Sequence, residues 1–223
     1  MIPARELGRA SVPGSSAPLI LTQRGDDFEI RLGTHLLMQS RAHGSEATLA
    51  DLACVRVAAR TAPRVLIGGL GMGFTLAAAL RALPADAGVV MAELVPGLVE
   101  WNRGPLAHLA GRPLDDVRVS VEETDVADLI RDRRDAFDAI LLDVDNGPQG
   151  LTRPSNDALY SSAGLSHAHA ALRKRGVLAV WSVAPDEAFT RRLRGAGFQV
   201  EEHVARARGS KGARHVIWIA TRD

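Results

Sequence analysis

The chain has 223 residues, 46% of them apolar and 24% charged, with a formal net charge of +1. That length buries one substantial core, and near-neutrality gives no electrostatic case for nucleic acid or a membrane surface. One cysteine, Cys54, excludes an intrachain disulfide and a cysteine metal cluster.

Residues 1–17, rich in Pro, Gly, Ser and Ala, read as a loose N-terminal arm. They lack the apolar run of a signal peptide, and no early segment approaches the ~20 apolar residues of a membrane span, so a cytoplasmic location is expected. Residues 18–60 form a second unit. Strands at 19–24 and 28–38 flank Gly25-Asp26-Asp27 as a β-hairpin, and helical spacing over 46–59 ends at Thr61-Ala62-Pro63. Cys54 falls in the apolar pattern Leu49, Leu52, Ala53, Val57, which reads as a buried core thiol.

Residues 61–223 form the main unit. Strand patterns at 64–68, 88–93, 117–121, 137–142 and 176–181 alternate with helical patterns at 74–83, 96–109, 124–133, 158–174 and 186–195. That alternation predicts a doubly wound, mostly parallel sheet with helices on both faces. Strands at 198–205 and 215–220 have only residues 206–214 between them, too few for a crossover helix, so they pair antiparallel. The fold class is therefore α/β, with a terminal antiparallel hairpin of the class I methyltransferase type rather than the nicotinamide-binding type.

The first strand of this unit, Arg64-Val65-Leu66-Ile67-Gly68, runs into Gly69-Leu70-Gly71-Met72-Gly73 and then a helical pattern. Glycines at a strand-to-helix turn accept backbone angles that side chains forbid and let a ligand lie against the main chain. Glu93 ends the next strand about 20 residues on, where an acid can hold both hydroxyls of a ribose; the alternative is a surface acid. Turn, acid and strand–helix order together point to a nucleoside cofactor.

In an open parallel sheet, ligands lie beyond the carboxyl ends of the strands. Three successive strands carry acids there: Glu93, Asp125, and Asp143 with Asp145. Asp125 can accept from the exocyclic amine of an adenine or cap the helix it opens. Asp143 ends the most apolar strand, where a carboxylate can take a raised pKa and serve as a base; otherwise it is a turn acid beside Asn146-Gly147-Pro148. Trp181 ends the following core strand, near the same rim.

From about Leu19 to Arg222 the chain resembles the spermidine synthase (polyamine aminopropyltransferase) family, especially its short bacterial spermidine-synthase-like members. The resemblance is carried by Ile67-Gly68-Gly69-Leu70-Gly71-Met72-Gly73, by Glu93 and Asp125, and by Asp138-Ala139-Ile140-Leu141-Leu142-Asp143-Val144-Asp145-Asn146-Gly147-Pro148 followed by Leu159-Tyr160. The N-terminal hairpin with Met38-Gln39-Ser40-Arg41-Ala42-His43-Gly44-Ser45-Glu46 occupies the family's position too. It implies a site for decarboxylated S-adenosylmethionine, with Gly68, Gly69, Leu70, Gly71 and Gly73 against the nucleoside, Glu93 on the ribose and Asp125 at the adenine. Asp143 matches the acid that deprotonates the attacking amine, with Asp145 beside it, and His43, Glu46, Asn146, Tyr160 and Trp181 make up the acceptor side. The resemblance also implies a homodimer.

The chain departs from the family on the amine side. The family's aspartate in the glycine loop is Gly71 here, its second acid after the base is Asn146, a Tyr-Gln pair is replaced by Ser45-Glu46, and a downstream tyrosine is Leu165. Asp145 and Glu46 are the acids available to compensate.

Other residues carry plainer alternatives. His43 can face substrate or sit at a helix N-terminus, and Trp101 can line the pocket or fill the core. The basic segment 206–214 lacks interleaved aromatics and reads as a solvated hairpin tip. His167 and His169 lie on different helix faces, wrong for shared metal ligation. No metal is called for.

The sequence therefore supports an alkyl transferase that uses an adenosyl sulfonium on a small-molecule amine, with Asp143 as base. S-adenosylmethionine-dependent methyl transfer to a small molecule is the alternative, because a loop without the aspartate tolerates the intact amino-acid tail. A non-catalytic nucleoside-binding dimer module is the third reading.

Overall fold

Alternating apolar residues at Leu19, Leu21, Phe28 and Ile30 turn one face of the N-terminal segment inward, and all four are buried. In the computed structural model, which describes residues 3–144, 147–148, 158–208 and 211–223, this segment is a four-stranded antiparallel sheet. Its strands run in sequence order: β1 (Arg5–Ala10), β2 (Leu19–Arg24), β3 (Asp27–Leu32) and β4 (His35–Gln39). Two expectations change here. The strand read across 28–38 is two strands, because Gly33 adopts φ 56° and reverses the chain. The loose arm contains β1, paired with β2 from Arg5↔Gln23 to Ala10↔Leu19. Small residues let β1 approach a helix closely: a Cβ on Gly8 would lie 2.8 Å from Trp101 Nε1, and one on Gly97 would lie 2.4 Å from the Ala10 Cβ. Trp101 is accordingly a core residue beneath this sheet.

Helix α1 (Gly44–Cys54) leads to the second sheet and stops five residues before the expected 59. The second sheet contains β5 (Arg64–Gly68), β6 (Gly88–Ala92), β7 (Val119–Glu122), β8 (Phe137–Leu142), β9 (Leu172–Ser182), β10 (Phe198–Arg208) and β11 (Lys211–Arg222), in the order β10-β11-β9-β8-β5-β6-β7. Strands β5 to β9 are parallel, while β11 runs antiparallel to both β9 and β10. This is the methyltransferase-like arrangement. Strands β10 and β11 extend further than expected, to Arg208 and from Lys211, and residues 209–210 of the basic segment lie outside the described residues.

The helices between strands are α2 (Phe74–Ala82), α3 (Pro96–Arg103), α4 (Val126–Arg131), α5 (Ser162–Ala171) and α6 (Glu187–Gly195). Helix α3 ends before the expected 109 because Gly104-Pro105 cannot continue it. Side chains alternate across the sheet. Val65, Ile67 and Leu141 pack with α1 and α2, whereas Leu66, Ile140 and Leu142 pack with α4, α5 and α6. Cys54 lies fully buried in the first layer, and burial pushes its thiol up to about 12. Among the described residues no helix is long and apolar enough to cross a membrane.

The apolar strand β8 carries one buried carboxylate near its start. Asp138 accepts from Arg60 Nη1 at 2.6 Å, from the Arg64 backbone N–H at 2.7 Å and from Arg173 Nη1 at 2.9 Å. It ties the entry to β5 and the turn into β9 to the central strand. Removing one member of such a group leaves charge and an amide without partners. Asp138→Ala should lower stability by about 3 kcal/mol, seen in urea unfolding as a lower midpoint at unchanged slope.

Candidate active site

Strand β5 ends at Gly68, and the turn beyond it uses three glycines in left-handed conformations: Gly69 (φ 89°), Gly71 (φ 53°) and Gly73 (φ 82°). Gly69 is required by contact as well as angle, since a Cβ there would sit 2.3 Å from the Asp143 carbonyl oxygen. Two side chains hold the turn. Glu93 Oε2 accepts the Leu70 N–H and its Oε1 accepts the Val95 N–H, both at 2.8 Å. Asn102 Nδ2 donates to the Gly71 carbonyl at 2.8 Å. Glu93 is almost fully buried, which raises its pKa against the lowering effect of these amide bonds.

Between the two sheets lies a first cavity. Gly69, Gly71, Glu93 and Asp125 line its lower side, and Val12 and Leu19 line its roof. Asp125 is the N-cap of α4, with Oδ1 accepting the Ala127 N–H at 2.9 Å, and it also lines this cavity. Capping and ligand contact are compatible for this residue. A second cavity is lined by Glu46, Phe74, Thr75, Trp181 and Asp143. The two meet at Asp143, with Met38 and Gly71 also common to both.

Asp143 Oδ2 accepts from Thr75 Oγ1 at 2.6 Å. Burial first, and the charge of Glu46 second, push its pKa up to about 7, while the Thr75 hydroxyl opposes them. Glu46 is itself raised by burial, against the lowering effects of the Ser45 hydroxyl and His43. A carboxylate poised near neutrality between two cavities can exchange a proton with a ligand in either.

The other expected residues are distributed around this centre. His43 stands at the start of α1 without a side-chain capping bond, and its ring stacks on Phe74 at 4.0 Å between centroids. Trp181 faces the second cavity, and its buried Nε1 has no hydrogen-bond partner among the described residues. Tyr160 belongs to the core on the α4–α6 side, edge-on to Phe189, with its hydroxyl 3.5 Å from the Val144 carbonyl. Asp145 and Asn146 lie outside the described residues. Among the described residues no group of three or more His, Cys, Asp or Glu is arranged to hold a metal.

Thr75, Asn102 and Met38 were not singled out from sequence. Thr75 and Asn102 are buried polar residues on otherwise apolar helix faces, the one signal that marked them. Met38 lies close to the glycine turn: its Sδ would be 3.0 Å from a Cβ on Gly71.

Neither a protein-family model nor a curated protein sequence matches the chain. Solved structures do. Spermidine synthase from Thermotoga maritima superposes with a TM-score of 0.74 at 19% identity, over 98% of this chain and 73% of its own. A spermidine synthase in complex with the transition state analogue AdoDATO gives the same TM-score and coverage at 18% identity. At those identities the likeness is one of architecture, and the chain has a spermidine-synthase-like fold.

Proposed function

We propose that the chain is a spermidine-synthase-like alkyl transferase. It binds an adenosyl sulfonium in the first cavity, seats an amine in the second, and moves an aminopropyl group from sulfur to nitrogen. The observation that carries this reading is Asp143, a carboxylate shared by both cavities with its pKa pushed up to about 7. The structural neighbour solved with the transition state analogue AdoDATO supports a transfer reaction on this architecture.

A sulfonium is already a good leaving group, so the protein's tasks are alignment, deprotonation and exclusion of water. The amine lone pair forms the new C–N bond as the C–S bond breaks. The bonding pair stays on sulfur, giving a neutral thioether, and the N–H proton goes to Asp143. In the first cavity Glu93 takes the ribose hydroxyls. Each of its oxygens accepts one amide, which leaves lone pairs free for a hydroxyl. Asp125 takes the adenine amine, and the glycine turn lies along the nucleoside.

Charge favours the decarboxylated donor. The ionisable side chains among the described walls of the two cavities are Glu46, Glu93, Asp125 and Asp143, all acids. An α-carboxylate would meet like charge and no cation there, whereas an ammonium would be welcome. One observation favours methyl transfer instead: Gly71 brings no acid to the loop, and the neighbouring Met38 is apolar.

Four outcomes test the reading. Calorimetric titration should rank decarboxylated S-adenosylmethionine above the intact form, with methylthioadenosine also binding; the reverse ranking selects methyl transfer, and no binding withdraws both. Asp143→Asn should slow transfer about 10³-fold while leaving donor affinity within about twofold. The rate should rise with pH through about 7 as Asp143 ionises. Thr75→Val removes a bond to the charged form, so this acid limb should move to higher pH.

A further inference from the structure

Three polar side chains, two adjacent on α1 and the third from β11, form one hydrogen-bonded line behind the second cavity. Ser45, fully buried on α1, donates its hydroxyl to Glu46 Oε2 at 2.7 Å, and its Oγ lies 2.8 Å from Nδ1 of His215 on β11. With the hydroxyl proton on the Glu46 side, the proton between His215 and Ser45 belongs to Nδ1. The same three groups have a second arrangement. A protonated Glu46 donates to Ser45 Oγ, whose own proton then points at an unprotonated Nδ1. The two arrangements differ by one proton moved from Glu46 to His215. At one end Glu46 lines the cavity that contains Asp143, and at the other His215 is half-buried.

We propose that Glu46, Ser45 and His215 carry to solvent the proton that Asp143 takes from the acceptor amine. This rests on the function proposed above. Asp143 breaks its O–H bond as Glu46 gains one across the cavity. From the second arrangement, with neutral His215 as its Nε2–H tautomer, Glu46 passes a proton to Ser45 Oγ while the original hydroxyl proton moves to His215 Nδ1. The imidazolium releases its Nε2 proton to water or buffer, which leaves the Nδ1–H tautomer of the first arrangement. Before the next turnover the half-buried ring gives its Nδ1 proton to water and takes one at Nε2, which restores the starting form; no group changes oxidation state.

The surroundings suit the direction of travel. Glu46 is faced by Asp143 and His43, and two acids beside one cavity resist being charged together. His215 meets Ser45 and, edge-on, Trp181 at 4.6 Å between centroids. Burial raises Glu46 and lowers His215, so the inner end takes a proton readily and the outer end gives it up. The line also accounts for a buried serine and a histidine that the chemistry at Asp143 does not otherwise use.

The test uses the full chain, with decarboxylated S-adenosylmethionine and a diamine as probes. Ser45→Ala and His215→Ala should each lower kcat about tenfold, with donor affinity and the KM of the amine unchanged. Added imidazole should restore His215→Ala in proportion to its concentration and leave Ser45→Ala slow, because the break there lies upstream. Unchanged kcat in both variants, or a loss in His215→Ala that imidazole does not restore, overturns the relay. Should Ser45→Ala fail to fold, His215→Ala and its imidazole response decide. A second readout needs no turnover. In ¹⁵N spectra neutral His215 should be the Nδ1–H tautomer, and Glu46→Gln should shift its titration midpoint only when Ser45 is present. Absence of transfer by the unaltered chain retracts the proposed function; the spectra then judge the relay alone, and a His215 midpoint indifferent to Glu46 overturns it.

Discussion

Strands β5 and β8 end side by side, and the backbone leaving one passes the backbone leaving the other at a distance only glycine permits. Any side chain at Gly69 would strike the Asp143 carbonyl. Because of that crossing, the glycine turn and the carboxylate of Asp143 share one rim, at the place where neighbouring strands diverge to opposite sides of the sheet. The remaining parts of the site build outward from it. Glu93 and Asn102 fix the turn from β6 and α3, Thr75 reaches back from the first turn of α2 to Asp143, and the N-terminal sheet closes over the gap.

Strand β8 shows how position along one element separates structure from chemistry. Asp138 and Asp143 stand at opposite ends of the same apolar run. Two arginines and an amide surround Asp138, so its charge is compensated and serves to join elements. Among the described residues Asp143 receives one hydroxyl bond and faces another acid, so its charge is poorly compensated there. A buried carboxylate with cationic partners is a fastening; one without them is reactive toward protons and cations.

Much of this was legible in the sequence because it depends on local pattern. The clustered glycines, the acid about 20 residues on, and the apolar run ending at Asp143 are statements about neighbours in the chain. The strand–helix alternation and the short connection between β10 and β11 settled the sheet for the same reason. What was hidden depends on distant partners. Strand β1 has weak intrinsic preference, and small residues such as Gly8 and Ala10 matter through what they allow Trp101 and Gly97 to approach. Ser45 and His215 are 170 positions apart and meet only because α1 packs near β11. Gly33 looked like an interior residue of one long strand, and only its left-handed backbone divides β3 from β4.

The first cavity has one sheet for its floor and another for its roof, with Val12, Leu19 and Leu32 above and Glu93, Asp125 and Val126 below. A molecule filling it would touch both and act as a mortar between two layers of the protein. Whatever fits best must therefore hold the layers together most strongly, by the thermodynamic linkage between occupancy and folding. The chain's resistance to heat becomes a reporter of its own ligand. A melting curve taken across a panel of nucleosides reads the specificity of the cleft without any knowledge of the reaction.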